Sequence, residues 1–191
     1  NSGFELQVTA SAQDGLAGNS VAAALAGYFA KANNDLRFGL FVGISTSTGV
    51  PLFPGVVTLT GGGAGFFYQP TRCDLNLVIK PNGPLEALGH KMVRNQLKNP
   101  FNPPALAEIK FAVMLFAEVG ILGQAGQYSL KGSTFIQITN KSVYFDAYGT
   151  VLGLDGEGVT ELKLQGGAYV QASFDNFFID GGGFVDLNMP V

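Results

Sequence analysis

The sequence predicts a mainly β fold. It reads as a β-rich α+β chain of long antiparallel strands in a meander, curved sheet or barrel, with one or two short helices near 20–31 and 84–98. Three observations lead there. Leu162, Leu164, Ala168, Val170, Ala172 and Phe174 alternate with Glu161, Lys163, Gln165, Tyr169, Gln171 and Ser173, a period-two pattern longer than an ordinary strand. The 191 residues include 27 Gly and 16 Phe, an enrichment typical of sheet proteins. A single cysteine, Cys73, leaves the fold to packing and backbone ladders rather than an internal disulfide.

Taken in order, Phe4, Leu6, Val8, Ala10 and Ala12 alternate with Glu5, Gln7, Thr9 and Ser11, which predicts a strand with one wet face. Asp14-Gly15 breaks it. Asn19-Ser20 can cap an Ala-rich segment from Val21 to Lys31, with Leu25 and Phe29 four apart, so a helix is expected there. From Leu36 the alternation resumes: Leu36, Phe38, Leu40, Val42 and Ile44 share one face, while Asp35, Arg37, Gly39, Phe41 and Gly43 share the other. Glycine at alternate positions lets a backbone or ring approach closely, so this strand is expected to be covered on both sides. A turn-rich stretch over Thr46–Pro54, a strand over Val56–Thr60 and the run Gly61-Gly62-Gly63-Ala64-Gly65 lead into Phe66-Phe67-Tyr68.

Asp74 to Lys80 reads as a short strand, and Pro81-Asn82-Gly83-Pro84 as a turn opening the better helix candidate. Across Leu85–Leu97, Leu85, Leu88, Met92 and Val93 form one stripe, with Glu86 early and Lys91, Arg94 and Lys98 late, matching the helix dipole. The Pro-rich run Asn99–Pro104 ends it, as a loop packed on the sheet or a linker between halves. Ile109–Ile121, Tyr128–Thr139, Ser142–Leu152, Glu161–Phe174 and Phe177–Met189 then follow as strands. Asn140-Lys141 makes a two-residue hairpin connection and Asp155–Gly158 a slightly longer one. Residues 1–191 read as one domain, with a possible sub-boundary at 99–105. The ends, Asn1-Ser2-Gly3 and Met189-Pro190-Val191, read as those of a segment processed or excised from a longer polypeptide.

Eleven Lys+Arg against fourteen Asp+Glu give a formal charge of −3, so no global electrostatic attraction to nucleic acid is expected. The longest apolar stretches, Val21–Ala30 and Phe111–Leu122, are too short for a transmembrane helix, and Glu118 interrupts the second.

Chemistry is sparse. His90 is the single histidine, and beside Lys91 and Arg94 it reads as part of a solvated basic helix face. Cys73, between Arg72 and Asp74, reads as a buried or inert thiol. No nucleophile elbow, P-loop, zinc motif or EF-hand loop occurs. Ser45-Thr46-Ser47-Thr48 reads as a polar turn. Gly61–Gly65 lacks the following helix that a phosphate cradle needs. Asp146, Asp155, Glu157, Asp175, Asp180 and Asp186 supply late carboxylates, of which the Asp155–Glu157 turn is the one conceivable calcium site. No cofactor and no catalytic residue is expected, the residual enzymatic alternative being a carboxylate-only glycosidase site. Asn140-Lys141-Ser142 is a glycosylation sequon that matters in a secreted setting, and an extracellular or cell-surface location is the one favoured.

A strand, glycine cluster and aromatic strand recurs at Thr60–Phe67, at Asp180–Val185 and more faintly at Gln165–Val170, without a fixed period. Through this element, Val56–Pro70 and Tyr128–Gly153 resemble long, poorly characterised bacterial and fungal proteins built from repeated β-pairs with a Gly-Gly-Gly-x-Gly-aromatic motif. The resemblance implies an extended β-rich module inside a larger protein and brings no catalytic residues with it.

Four functional classes follow. The leading expectation is a non-enzymatic structural or assembly module that forms an extended scaffold, fibre or shell through strand and apolar-face contacts with further copies or adjoining segments. In that setting Lys91, Arg94 and Lys98 would meet an acidic edge of a neighbour. A second is a carrier of an apolar ligand such as lipid, lined by Phe66, Phe67, Tyr169, Phe174, Phe177 and Phe178. A third is a fragment of a membrane β-barrel, against which the helices and the Pro-rich run count. An enzyme comes last.

Overall fold

The computed structural model describes residues 2–14, 19–32, 35–93, 97, 109–122, 128–154, 160–174 and 177–188. Among these residues nine strands form one antiparallel sheet in strict chain order: β1 (Ser2–Asp14), β2 (Asn19–Ala32), β3 (Asp35–Phe53), β4 (Val57–Tyr68), β5 (Phe111–Leu122), β6 (Tyr128–Thr139), β7 (Ser142–Leu154), β8 (Thr160–Ser173) and β9 (Phe178–Asn188). Helices α1 (Arg72–Ile79) and α2 (Pro84–Ala87) lie between β4 and β5. The fold is thus a meander of long strands, with β1 and β9 as its two edges.

Four elements differ from the sequence expectation. Residues 21–31 form a strand, not a helix: β2 is paired along its length to β1 and to β3. Ladder hydrogen bonds on both sides outweigh the helix propensity of its alanines. The same alanines serve another purpose, since Ala24 and Ala26 are buried where the helical segment lies close against the strand. Where a strand was expected over Asp74 to Lys80, residues 72–79 are helical because Thr71 and Asp74 form a reciprocal capping box, with Asp74 N donating to Thr71 Oγ1 at 3.3 Å and Thr71 N donating to Asp74 Oδ2 at 2.8 Å. The helix expected over 84–98 is confined to 84–87 in its first part. Gly89 takes φ +97°, a left-handed conformation that ends α2, and His90 to Met92 continue as irregular chain. β3 also runs on through Ser45–Thr48, where a polar turn was expected, and turns only after Phe53. The Pro-rich run and the sub-boundary at 99–105 lie outside the described residues.

The sheet has two unlike faces. On one, Tyr28, Phe41, Phe67, Met114, Phe116, Phe135, Tyr144 and Tyr169 pack against Leu75, Val78, Leu85, Leu88, Met92 and Val93 of the helical segment, and this is the hydrophobic core. Close approach is secured by glycine at two points. A Cβ on Gly43 would collide with the Leu88 side chain, and one on Gly167 with Val93 and the carbonyl of Ala147. Leu88 therefore sits on β3 and Val93, five residues later, on β8. In a flat sheet those strands are about 24 Å apart, whereas five residues reach at most about 18 Å. The two side chains and a curl of the sheet toward the helical segment together close that gap, and the core face is named the concave one below.

Tyr28 anchors one end of this concave face. Its ring packs edge-on against Phe67 at 5.4 Å, its hydroxyl donates to the Tyr68 carbonyl at 3.2 Å, and Arg37 lies over the ring at 5.8 Å. Burial above all, with the Asp74 carboxylate second and opposed by Arg37, pushes its phenol well above the ordinary 10.0. The native state then holds this proton more tightly than the unfolded chain does. Stability is full below pH 10 and falls as the pH rises beyond it, because only the unfolded tyrosine ionises readily. Thermal unfolding measured from pH 8 to 12 should show Tm falling steeply above pH 10, and Tyr28→Phe should make that fall shallower. Tyr148, raised in the same direction by burial, accounts for a residual slope.

Candidate functional site: a bare apolar face backed by a pinned helical segment

Alternation places Val21, Phe29, Phe38, Leu40, Val42, Ile44, Phe66, Leu115, Ile138, Phe145, Val170, Val185 and Leu187 on the convex face, where all are exposed. Leu40, Leu115 and Val170 are 50%, 45% and 49% exposed although they stand in the middle of their strands. An exposed leucine alone means little; a face of this kind running across nine strands is far beyond the few hundred Å² of apolar patch usual on a soluble monomer. Among the residues whose side chains are described, the only charge on this face is Lys31, at one end.

The strand ends order this face. Phe4 pairs with Phe29, Phe29 with Phe38, Phe38 with Tyr68 and Tyr68 with Phe111, so one row of five rings crosses five strands in register. Phe4 stacks on Phe29 at 5.9 Å and Phe38 on Tyr68 at 5.4 Å. Phe174 and Phe177 lie at the same end, where β8 meets β9, and are 53% and 93% exposed. At the other end, Val57, Ile121, Leu130, Val151, Leu164 and Leu187 form an aliphatic row, again in register. Between the rows, Ala117, Gly132, Thr134, Ala147, Gly149 and Gly166 leave a shallow trough of about 500 Å³.

Polar chemistry is concentrated on the concave face, where two clusters fasten the helical segment to the sheet and one joins strands to one another. Arg37 of β3 pairs with Asp74 of α1 at 2.8 Å. Glu118 of β5 is buried, accepts from Ser45 at 2.9 Å and Thr60 at 2.8 Å, and lies 3.3 Å from Lys131 Nζ. Thr60 reaches it because a register shift between Leu59 and Gly61 turns the side chain inward. At the third point, His90 Nε2 lies 3.0 Å from Asp146 Oδ1 and Nδ1 lies 2.7 Å from Ser133 Oγ, while Asp146 Oδ2 accepts from Val93 N at 3.0 Å and from the Tyr144 hydroxyl at 2.6 Å.

His90 is therefore not on a solvated basic face. It is fully buried, because Gly89 redirects the chain and delivers the imidazole between β6 and β7. Ser133, His90 and Asp146 have the order of a nucleophile, base and orienting carboxylate. Yet His90 and Asp146 are both 0% exposed and Ser133 only 8%, so no substrate carbonyl can reach the hydroxyl. What the arrangement does chemically is satisfy buried polar groups at a packed junction.

The six aromatics expected to line a ligand site do not converge. Phe67 and Tyr169 are buried in the concave core, Phe66 is on the convex face, and Phe174, Phe177 and Phe178 lie at the β8–β9 end. Alternation separates Phe66 from Phe67 whatever the fold. Lys91 is exposed, and Arg94 and Lys98 lie outside the described residues. The same holds for the Asp155–Glu157 turn, Asp175 and the side chain of Cys73. Of the other late carboxylates, Asp146 belongs to the His90 junction, Asp186 accepts from Gln165 at 3.0 Å and Asp180 from Tyr169 at 3.3 Å. Among the described residues no three His, Cys, Asp or Glu side chains gather as a metal ion would require, and no helix is long and apolar enough to cross a membrane. Gly61–Gly65 lies within β4 and so presents no helix N-terminus.

No protein-family model, no curated protein and no solved structure matches the chain.

Proposed function

We propose that this chain is a non-enzymatic wall segment of a membrane β-structure, with its convex face set in lipid hydrocarbon and its concave face closed by the helical segment. One observation carries the reading: the face bearing the ordinary core is filled, while the opposite face is exposed and apolar, its one charge among the described side chains being Lys31 at the end that carries the aromatic row. Outer-membrane-type sheets have this inverted distribution, an apolar exterior bordered by aromatic rings and a polar or plugged interior. The dimensions agree. Phe111 to Ile121 is ten residue steps, about 33 Å of strand, or about 25 Å of height at the tilt of about 40° usual for such sheets. The helices, which on sequence alone counted against a barrel, occupy the interior side.

Both edges, β1 and β9, are long strands, which favours an assembly component in the same reading: the wall is extended at its edges by further strands, from adjoining segments or another copy. The test is flotation of the purified chain with phosphatidylcholine vesicles on a density gradient, followed by washing in high salt and in urea. The expected result is a chain that floats with the vesicles and resists both washes. A chain that stays at the bottom of the gradient as a discrete oligomer would overturn the reading and favour a scaffold in which copies bury the convex face against each other.

A further inference from the structure

The two edges of the sheet run in the same direction. Each strand is antiparallel to the next, so with nine of them β9 is parallel to β1. Both edges are also engaged from the concave side by the connection between β4 and β5. Its helix α2 packs against β1, and further along it Leu97 stands so close to β9 that a Cβ on Gly182 would come within 3.1 Å of its side chain. Among the described residues no strand lies beside the outer side of β9. Its eleven residues contain no proline and no lysine, and its ladder to β8 runs without a bulge. Such devices ordinarily keep an edge from pairing. Its two carboxylates are turned to the concave face and engaged by β8, Asp180 accepting from Tyr169 at 3.3 Å and Asp186 from Gln165 at 3.0 Å. On its convex side Ile179 and Val185 are 75% and 79% exposed, the most exposed apolar side chains of the strand.

We propose that the partner at this edge is a second copy of the chain, its β9 paired antiparallel to the first about a two-fold axis at Gly182. This rests on the edge extension of the wall reading and makes it specific. Three requirements fix the register. The convex and concave faces must each continue across the junction, which puts the axis at a residue and not between two. Like charges must not oppose, which excludes an axis at Gly183, where Asp180 would face the partner's Asp186. The exposed apolar side chains must meet each other. An axis at Gly181 or at Phe184 sets Ile179 or Val185, respectively, against the partner's Gly183. The axis at Gly182 sets Ile179 against the partner's Val185 on both sides of the two-fold, with Gly181 against the partner's Gly183 between them. A second copy is favoured over pairing of β9 with β1, in one chain or head to tail, because that ladder would be parallel and so slightly weaker. Like-with-like pairing keeps every ladder antiparallel. It also leaves the outer strands, β1 of each copy, antiparallel to one another, so that two sheets of nine can close with an even number of strands, as outer-membrane barrels do.

The experiment is thiol crosslinking in a Cys73→Ser background, with the chain folded into phosphatidylcholine vesicles and recovered by flotation. The variant I179C/V185C, treated with a short bifunctional thiol reagent, should run mostly as a covalent dimer on a denaturing gel, because directly opposed Cβ atoms are about 4.5–5.5 Å apart. I179C and V185C taken singly should stay monomeric, since each would then lie six residue steps from its own copy, about 20 Å along the strand. The two single variants folded together should crosslink again. A double variant that floats but stays monomeric would overturn the second-copy edge and leave the hydrocarbon-facing reading standing. Dimers from the single variants as abundant as those from the double one would overturn the two-fold register. A double variant that crosslinks in buffer yet does not float would support the edge pairing and overturn the hydrocarbon-facing reading.

Discussion

Leu115→Arg should destabilise the membrane-folded chain by about 2–4 kcal/mol, whereas Phe111→Arg on the same strand should cost about 1 kcal/mol or less. Leu115 is 45% exposed at the middle of the fifth of nine strands, and its cross-strand neighbours Ala64 and Ile136 are on the same uncharged face. A guanidinium there has no carboxylate to meet. If the face is in hydrocarbon, the charge must be desolvated or must drag water and headgroups inward, and the cost depends on depth. Phe111 lies in the aromatic row, within reach of the headgroups, where the same charge is nearly free. Equilibrium unfolding in urea with the protein folded into vesicles measures both. The depth profile is what distinguishes the readings. A face exposed to water would tolerate arginine at either position within about 0.5 kcal/mol, and a face buried against another copy would reject it at both.

This expectation inverts what the residues alone suggest. In β3 Leu36, Phe38, Leu40, Val42 and Ile44 stand on one side and Arg37, Gly39, Phe41 and Gly43 on the other, and the glycines lead to the expectation that both sides are covered, whereas only the glycine side is and the aliphatic side is exposed. The alternation was legible, and so were the last five strands almost to the residue. Which face turns inward was not, because the deciding quantity is the fit of the helical segment, for which Gly43 leaves room at Leu88. The alanines of β2 misled for the same reason. Local propensity favours a helix, while the small side chains are there to let α2 approach. Two local signals were present and pointed to the right answer, the Thr71–Asp74 capping box after Pro70 and the glycine at 89 that ends α2. The junction they lead to was beyond sequence reasoning, since His90 meets partners 43 and 56 residues away, on strands whose adjacency only the finished meander creates.

That junction should be the most sensitive polar point in the chain: Asp146→Ala should cost about 3–5 kcal/mol, seen as a lower urea midpoint at unchanged slope. The carboxylate is fully buried and accepts from three donors, the His90 ring, the Val93 amide and the Tyr144 hydroxyl. Truncation leaves all three without a partner in a space from which water is excluded, and each orphaned buried donor costs about 1–3 kcal/mol. Asp146→Asn should cost less, about 1–2 kcal/mol, because the imidazole has a second tautomer. With Nε2 as acceptor for the asparagine amide and Nδ1–H donating to Ser133, His90 remains satisfied, and the asparagine oxygen still serves Val93 and Tyr144. His90→Ala should be milder than Asp146→Ala, since the other two donors persist. The pair taken together should be clearly less damaging than the sum, by about 1.5 kcal/mol or more, as for any two groups that satisfy each other in a buried site. If Asp146→Ala costs under 1 kcal/mol, the helical segment is held by its apolar contacts with Phe116, Phe135 and Tyr169 alone, and the two polar fastenings set only its position. If the full loss appears, the same measurement explains why a sheet with a bare convex face keeps a polar cluster at the centre of its concave one. The helical segment fills the curved interior, and this buried carboxylate is what locks it to β6 and β7.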